Sequence, residues 1–424
     1  MINVSVEKQA PDLANPRMAS NPPVRPPVSM RQVLAIPGFR KLWLAQMVSM
    51  FGDFLALYAV LSEMSFRMHA SARGITLVTV FFLMPLAIVG PVAGVFVDRW
   101  DAKRTMIASD FTRAVLTLGL VVAGAPWQIY AVFFAISTFS SFFNPAQSVA
   151  MPQIVPLPQL MSANAVTQQT LQLIRIVSPA VAGALAGWAG PSSCYYLDSA
   201  SFLFSGIMIS SIAIPARAAH AEKQLGSVLG DLFSGTRFIL THTVIAFVIL
   251  SIAAGTFAIS AFGSLTAVYV RDVLHGGSYL FGGMGSMIGG GMLAAGFAVP
   301  HLARRVSNPA YLISVGILLC GLFIALIARV GNPVVALAGC AGIGIGVSLL
   351  IIPAMTLMQG QVPQEMRGRV SSSSLSLIAL TQGIALLFAG DFASRFGIVT
   401  VFYGSAAMLV VIAVVGTIRL RRLE

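Results

Sequence analysis

Apolar residues run through this chain in blocks of about twenty, broken by short polar stretches that hold most of the charged positions. An α-helix of that length crosses the hydrocarbon core of a bilayer, because each residue adds ~1.5 Å of rise. The pattern predicts six spans over residues 42–66, 74–97, 105–123, 127–150, 162–188 and 193–214. A second six follow over 243–268, 280–299, 310–328, 334–359, 370–390 and 398–418. The breaks divide the chain further. Residues 1–38, with Pro11, Pro16, Pro22, Pro23, Pro26 and Pro27 and no apolar core, are expected to be a disordered cytoplasmic tail rather than a signal peptide. Residues 39–214 form a predicted N-terminal six-helix bundle and 238–424 a C-terminal one with a short basic tail. Between them, 215–237 is a cytoplasmic linker in which residues 226–233 are expected to form an amphipathic helix on the membrane surface.

Composition sharpens the class. Of 424 residues 57% are hydrophobic and 9% charged, against about 25% charged in a soluble domain, and the mean hydropathy is +0.86. An ordinary cytosolic enzyme and a disordered protein are both excluded. The net charge of +12 raises nucleic acid as a partner, and the placement of the charges removes it. With the N-terminus inside, 19 of the 26 Lys and Arg fall on cytoplasmic segments and five on outer loops (Arg67, Arg73, Arg271, Arg329, Arg395). That bias follows the positive-inside rule, puts both termini in the cytoplasm, and marks a multi-pass membrane protein. Cys194, Cys320 and Cys340 give neither a disulfide framework nor metal-ligand spacing. The five His lie at or beyond the edges of the spans, and no nucleophile, zinc or phosphate-loop motif is present, so no catalytic residue, cofactor or metal is expected.

The halves resemble each other. Pro145-Ala146 with Val155-Pro156 recurs as Pro353-Ala354 with Val362-Pro363, 207–208 residues later. Gly94 to Arg104 has a worn counterpart in Gly296 to Arg305. Two repeats on the same side of the membrane imply two parallel six-helix units, with a site between them.

Charges inside spans carry the most information, since each costs about 2.5–3.5 kcal/mol at a helix centre. Gln46, Ser49 and Asp53 share one face of the first span and are expected to look into a wet central cavity, where Asp53 can bind and release a proton. Asp110 and Arg113, three residues apart, are expected to pair with each other or with the loop at Asp98. Arg175 shares a face with Gln168, Gln172 and Ser178, and needs a partner: Asp53 or an anionic group of the substrate. Glu63 and Asp198 lie near outer helix ends and read as structural. The glycines crowding the eighth and tenth spans read as packing positions.

The loop Gly94-Val95-Phe96-Val97-Asp98-Arg99-Trp100-Asp101-Ala102-Lys103-Arg104 closely resembles the G-x-x-x-D-R-x-G-R-R signature of the major facilitator superfamily, with Asp101 where the second glycine usually stands. The resemblance implies that Gly94, Asp98, Arg99, Lys103 and Arg104 form an inner gate, with Asp98 near Gly368-Arg369-Val370. Phe39-Arg40-Lys41-Leu42-Trp43, Val268 to Leu274, Val362-Pro363 with Arg367-Gly368-Arg369-Val370, and Arg175-Ile176-Val177-Ser178-Pro179-Ala180 are similar to the bacterial exporter branch that includes macrolide-efflux and enterobactin-export proteins. Ser178-Pro179-Ala180-Val181-Ala182-Gly183 resembles the antiporter motif of the fifth helix. The Arg that many proton antiporters carry in the fourth helix has no counterpart, since no basic residue lies between Gly124 and Pro158.

The expected function is secondary-active, proton-coupled export of a small amphipathic solute by alternating access, with a single chain as the working unit and the small-molecule substrate, protons and the lipid bilayer as its partners. The alternative is a lysolipid or lipid flippase on the same fold.

Overall fold

The computed structural model describes residues 30–97, 100–214, 233–234, 236–306, 308–363 and 366–421. Among them are twelve helices of 17 residues or more: α1 (Pro37–Ser62), α2 (Ala72–Val97), α3 (Ala102–Leu118), α4 (Pro126–Ile154), α5 (Leu160–Trp188), α6 (Pro191–Ser210), α7 (Thr243–Asp272), α8 (Ser278–Ala303), α9 (Ala310–Val330), α10 (Pro333–Gln361), α11 (Arg367–Phe396) and α12 (Ile398–Arg421). Ten of these segments are long and apolar enough to cross a membrane. The two that fall short are α3 and α6. Their polar residues explain the shortfall: α3 carries Lys103, Arg104, Asp110 and Arg113, and α6 carries Asp198 among six serines.

Local chemistry sets the ends. Proline stands at the first helical turn of α1, α4, α6 and α10, where a missing N–H is harmless. Asp101 caps α3 by accepting the Arg104 N–H at 2.8 Å, and Asn332 caps α10 by accepting from Val334 and Val335. The departure of Asp101 from the signature glycine is thus a helix cap. Packed structure is present earlier than the pattern suggests. A short helix, Met30–Leu34, precedes α1, and Val33 and Phe39 are fully buried, so residues 30–38 do not belong to a disordered tail. Residues 215–232, which hold nearly all of the expected amphipathic helix, and Asp98 and Arg99 lie outside the described residues.

The repeat seen in the sequence is a repeat of packing. In the first half α1 lies on α5 and α6, α2 and α3 on α4, and α3 on α6. In the second half α7 lies on α11 and α12, α8 and α9 on α10, and α9 on α12. Pro145 and Pro353 both sit inside their helices, each followed by a fully buried alanine, Ala146 and Ala354. The turns after α1 and α7 also match. His69 and His275 adopt left-handed backbone with φ of 48° and 51°, and the amides of Ala70 and Gly276 reach back to the carbonyls of Met64 and Val270.

Between the halves two helix crossings dominate, α5 on α8 and α2 on α11, and these exchange with each other under the repeat symmetry. At the α5–α8 crossing glycines let the backbones meet. A Cβ on Gly282 would stand 2.3 Å from the Pro179 carbonyl oxygen, and one on Gly183 2.6 Å from that of Ser278.

Candidate functional site

The halves are fastened at one end of the bundle, where α1, α5, α7 and α11 finish and α2 and α8 start. Ser62 and Ser278 bring their hydroxyls to 2.6 Å, and the Ser65 hydroxyl donates to the Ala267 carbonyl at 2.9 Å. Arg271 donates to the carbonyls of Ser65 and Ala70 at 2.8 and 3.0 Å. Arg73 pairs with Asp391 at 3.1 Å, and the Ala180 amide donates to Ser286 at 2.9 Å. Ser65 lies in a π-helical turn, Glu63–Arg67, that extends α1 past its regular end. The Arg73 amide donating to Ser394 lies beside this set.

Inside the N-terminal half, α1, α3, α4 and α6 enclose a charge cluster around Arg113. Its guanidinium donates to Asp110 on its own helix, reaches Asp53 of α1 at 3.8 Å and lies 3.4 Å from Ser140 of α4. The rings of Phe143 and Phe202 stand 4.8 and 4.3 Å from its carbon, so aromatic faces supply part of its electrostatic partner. Asp198 of α6 closes the cluster: it accepts from Thr117 and Ser201, each at 3.4 Å, and Thr117 also bonds the Arg113 carbonyl. Gly52 makes this possible. A Cβ there would stand 2.4 Å from an Asp198 carboxylate oxygen, so only glycine brings α1 this close to α6. Asp110, Arg113 and Asp198 are buried, whereas the Asp53 side chain is 25% exposed and opens the cluster to its surroundings.

The other sequence candidates fall elsewhere. Gln46 and Ser49 do not line a wet cavity: both are buried within the N-terminal half. Gln46 and Gln147 of α4 exchange side-chain amide hydrogen bonds, one at 2.9 Å. Each amide satisfies the other, which is how two polar side chains sit at membrane depth without water. Asp53 therefore belongs to Arg113 and not to Arg175. Arg175 and Gln172 are exposed on α5, as is Gln168. Glu63 accepts from Tyr195 at 2.6 Å and pairs with Arg67 at 3.6 Å, a structural contact at the fastened end. Asp198, read from the sequence as structural, is part of the charge cluster. Phe139 and Phe142 line a lateral cleft of about 580 Å³ between α3 and α4, together with Trp100 and Arg104.

This architecture agrees with what the chain is similar to. Residues 42–381 match the family profile of the Major Facilitator Superfamily. The chain belongs to that superfamily. Its relatives include the uncharacterized MFS-type transporter YfiS of Bacillus subtilis, 26% identical over 390 residues that cover 89% of this chain and 92% of YfiS. Macrolide efflux protein A of Streptococcus pyogenes is 24% identical over 384 residues, 89% of this chain and 94% of that protein. Among solved structures, a bacterial homolog of the human lysosomal transporter Spinster, in an inward-facing and unoccupied conformation, superposes with a TM-score of 0.73 at 13% identity, covering 91% and 97% of the two chains. As a Major Facilitator Superfamily member with efflux proteins among its relatives, the protein is an integral membrane transporter and not an enzyme. Of the superfamily signature, Gly94 lies in the last turn of α2 and Lys103 and Arg104 in the first turn of α3, either side of the Asp98-Arg99 pair.

Proposed function

We propose that the protein is a proton-coupled exporter of small amphipathic solutes from the cytoplasm, working as twelve transmembrane helices with both termini inside. The positive-inside bias makes the fastened end the outer one, so the halves are closed outside and this state receives solute from the cytoplasm. Efflux proteins among the relatives support the direction of transport.

The observation that carries the coupling is the composition of the charge cluster. Asp53 and Asp110 meet the single guanidinium of Arg113, and Asp198 joins them through Thr117, so three carboxylates share one positive charge. In a low-dielectric interior uncompensated carboxylates are neutralised by taking up protons. Asp53, part exposed and 3.8 Å from Arg113, is the member that exchanges its proton with water. A proton arriving there releases Arg113 toward Asp110 and loosens the tie between α1 and α3. Rocking of the halves then exposes Asp53 to the other side, where the cycle reverses.

Reconstituted protein tests this. A panel of amphipathic anions, cations and neutral dyes is screened for pH-gradient-driven movement across proteoliposomes, and the best substrate is then followed with Asp53→Asn. The expected outcome is loss of gradient-driven accumulation with counterflow exchange retained. Coupling that survives the substitution removes Asp53 from the mechanism.

A further inference from the structure

The inference that follows rests on the transporter reading and names the chemistry of its substrate. We propose that Arg175 is the substrate-binding cation of the central cavity, and that the transported solute carries a carboxylate, sulfonate or phosphate group.

The position comes from the faces of α5. Ile176, Pro179, Gly183 and Gly187 pack on α8 of the other half. Ile174, Ser178 and Ala182 are buried, and the Ala182 carbonyl accepts from Cys194 of α6. Two strips stay open on either side of these packed faces. One carries Leu173 and Val177, about half exposed, and suits lipid. The other carries Gln168, Gln172 and Arg175, spaced four and three residues apart and all exposed. Hydrocarbon rejects such a strip, so it faces the aqueous gap between the halves. Arg175 stands at mid-helix, and its neighbour Ile176 packs against Gly289, near the middle of α8.

A guanidinium at that depth needs an anion, and the described residues supply none. On the helices packed against α5, Asp53 of α1 is held by Arg113, Glu63 follows α1 and is held by Arg67 and Tyr195, and Asp198 of α6 accepts from Thr117 and Ser201. Helix α8 has no carboxylate: the chain has no Asp or Glu between Asp272 and Glu365. Asp391 of α11 is taken by Arg73 at the outer end. Asp110 belongs to Arg113. Among the described residues no ion pair or hydrogen bond occupies Arg175. Its fork of donors fits a planar or tetrahedral oxyanion, and Gln172, one turn away, adds amide donors. Across the gap α8 carries no carboxylate to hold a cationic solute, so the site selects an amphipathic anion.

Equilibrium binding to purified protein in detergent, without any gradient, separates this from the coupling reading. The probes are naphthalenesulfonate and naphthyltrimethylammonium, alike in their ring and opposite in charge. Wild type should prefer the sulfonate. Arg175→Gln should weaken sulfonate binding by about 10- to 100-fold, the loss expected for charge-assisted hydrogen bonds, and leave the ammonium probe unchanged. Arg175→Lys, which keeps the charge, should retain much of it and serves as the folding control. Equal sulfonate binding by Arg175→Gln and wild type, preference of wild type for the ammonium probe, or no sulfonate binding by wild type would each overturn the proposal. Anion binding that persists in an Asp53→Asn protein lacking coupling leaves the proposal standing while the proton mechanism is judged by transport.

Discussion

Arg113 is held from five sides by Asp53, Asp110, Ser140 and two phenylalanine rings. Removing it leaves three carboxylates facing one another without a cation. Arg113→Leu should lower stability by about 3–5 kcal/mol, measured as the loss of the thermal unfolding midpoint in detergent, and Arg113→Lys by less. Pairing Arg113→Gln with Asp110→Asn should be milder than Arg113→Gln alone, since the two residues act as a unit. The link between Asp110 and Arg113 was legible because three residues of helix bring side chains to one face. The rest of the cluster was not. Asp53, Asp198 and Ser140 meet Arg113 or one another across separate helices, and no spacing in a sequence records which helices become neighbours. Gln46 shows the same limit: its polarity pointed to a wet cavity, whereas the side chain is buried and amide pairing with Gln147, not water, satisfies it.

At the scale of elements, helix count, order and most boundaries follow from the lengths of the apolar runs, while the closeness of particular helices rests on single glycines. The crowding of glycine in α8 was visible as a packing signal, but not which glycines bear it. Gly282 and Gly290 make the contrast. A Cβ on Gly282 would strike the α5 backbone, whereas one on Gly290 would meet nothing within 4 Å. Gly282→Ala should therefore cost about 1–3 kcal/mol and shift the unfolding midpoint, with Gly290→Ala indistinguishable from wild type in the same measurement. Equal effects of the two would mean that the α5–α8 crossing does not bear on stability. The unusual end of α1, its π-helical turn included, had no sequence signal: it is fixed by what Ser65 and Arg271 meet in the other half.

For the whole molecule, the two-fold repeat of packing contrasts with a one-sided distribution of charge. Among the described residues, the buried charge cluster around Arg113 lies in the N-terminal half and has no counterpart in the other. Alternation requires the fastened end to open. Ser62→Cys with Ser278→Cys should form a disulfide on mild oxidation and stop transport, and a reductant should restore it; the native Cys194, Cys320 and Cys340 are buried and leave a quiet background. Transport that continues in the oxidised protein would mean that this end does not move. The charge cluster also bears on how the chain is made. Helices α3 and α6 are the two that fall short of a self-sufficient membrane span, and they are packed on each other around Asp110, Arg113 and Asp198. At about 2.5–3.5 kcal/mol per central charge, α3 does not settle in lipid by itself as it emerges. In a chain truncated before Pro191, a glycosylation acceptor placed after α3 should report incomplete insertion, corrected by Asp110→Leu with Arg113→Leu. A helix made early thus waits for one made some eighty residues later, and the charges buried in the finished bundle set the order in which its first half is assembled.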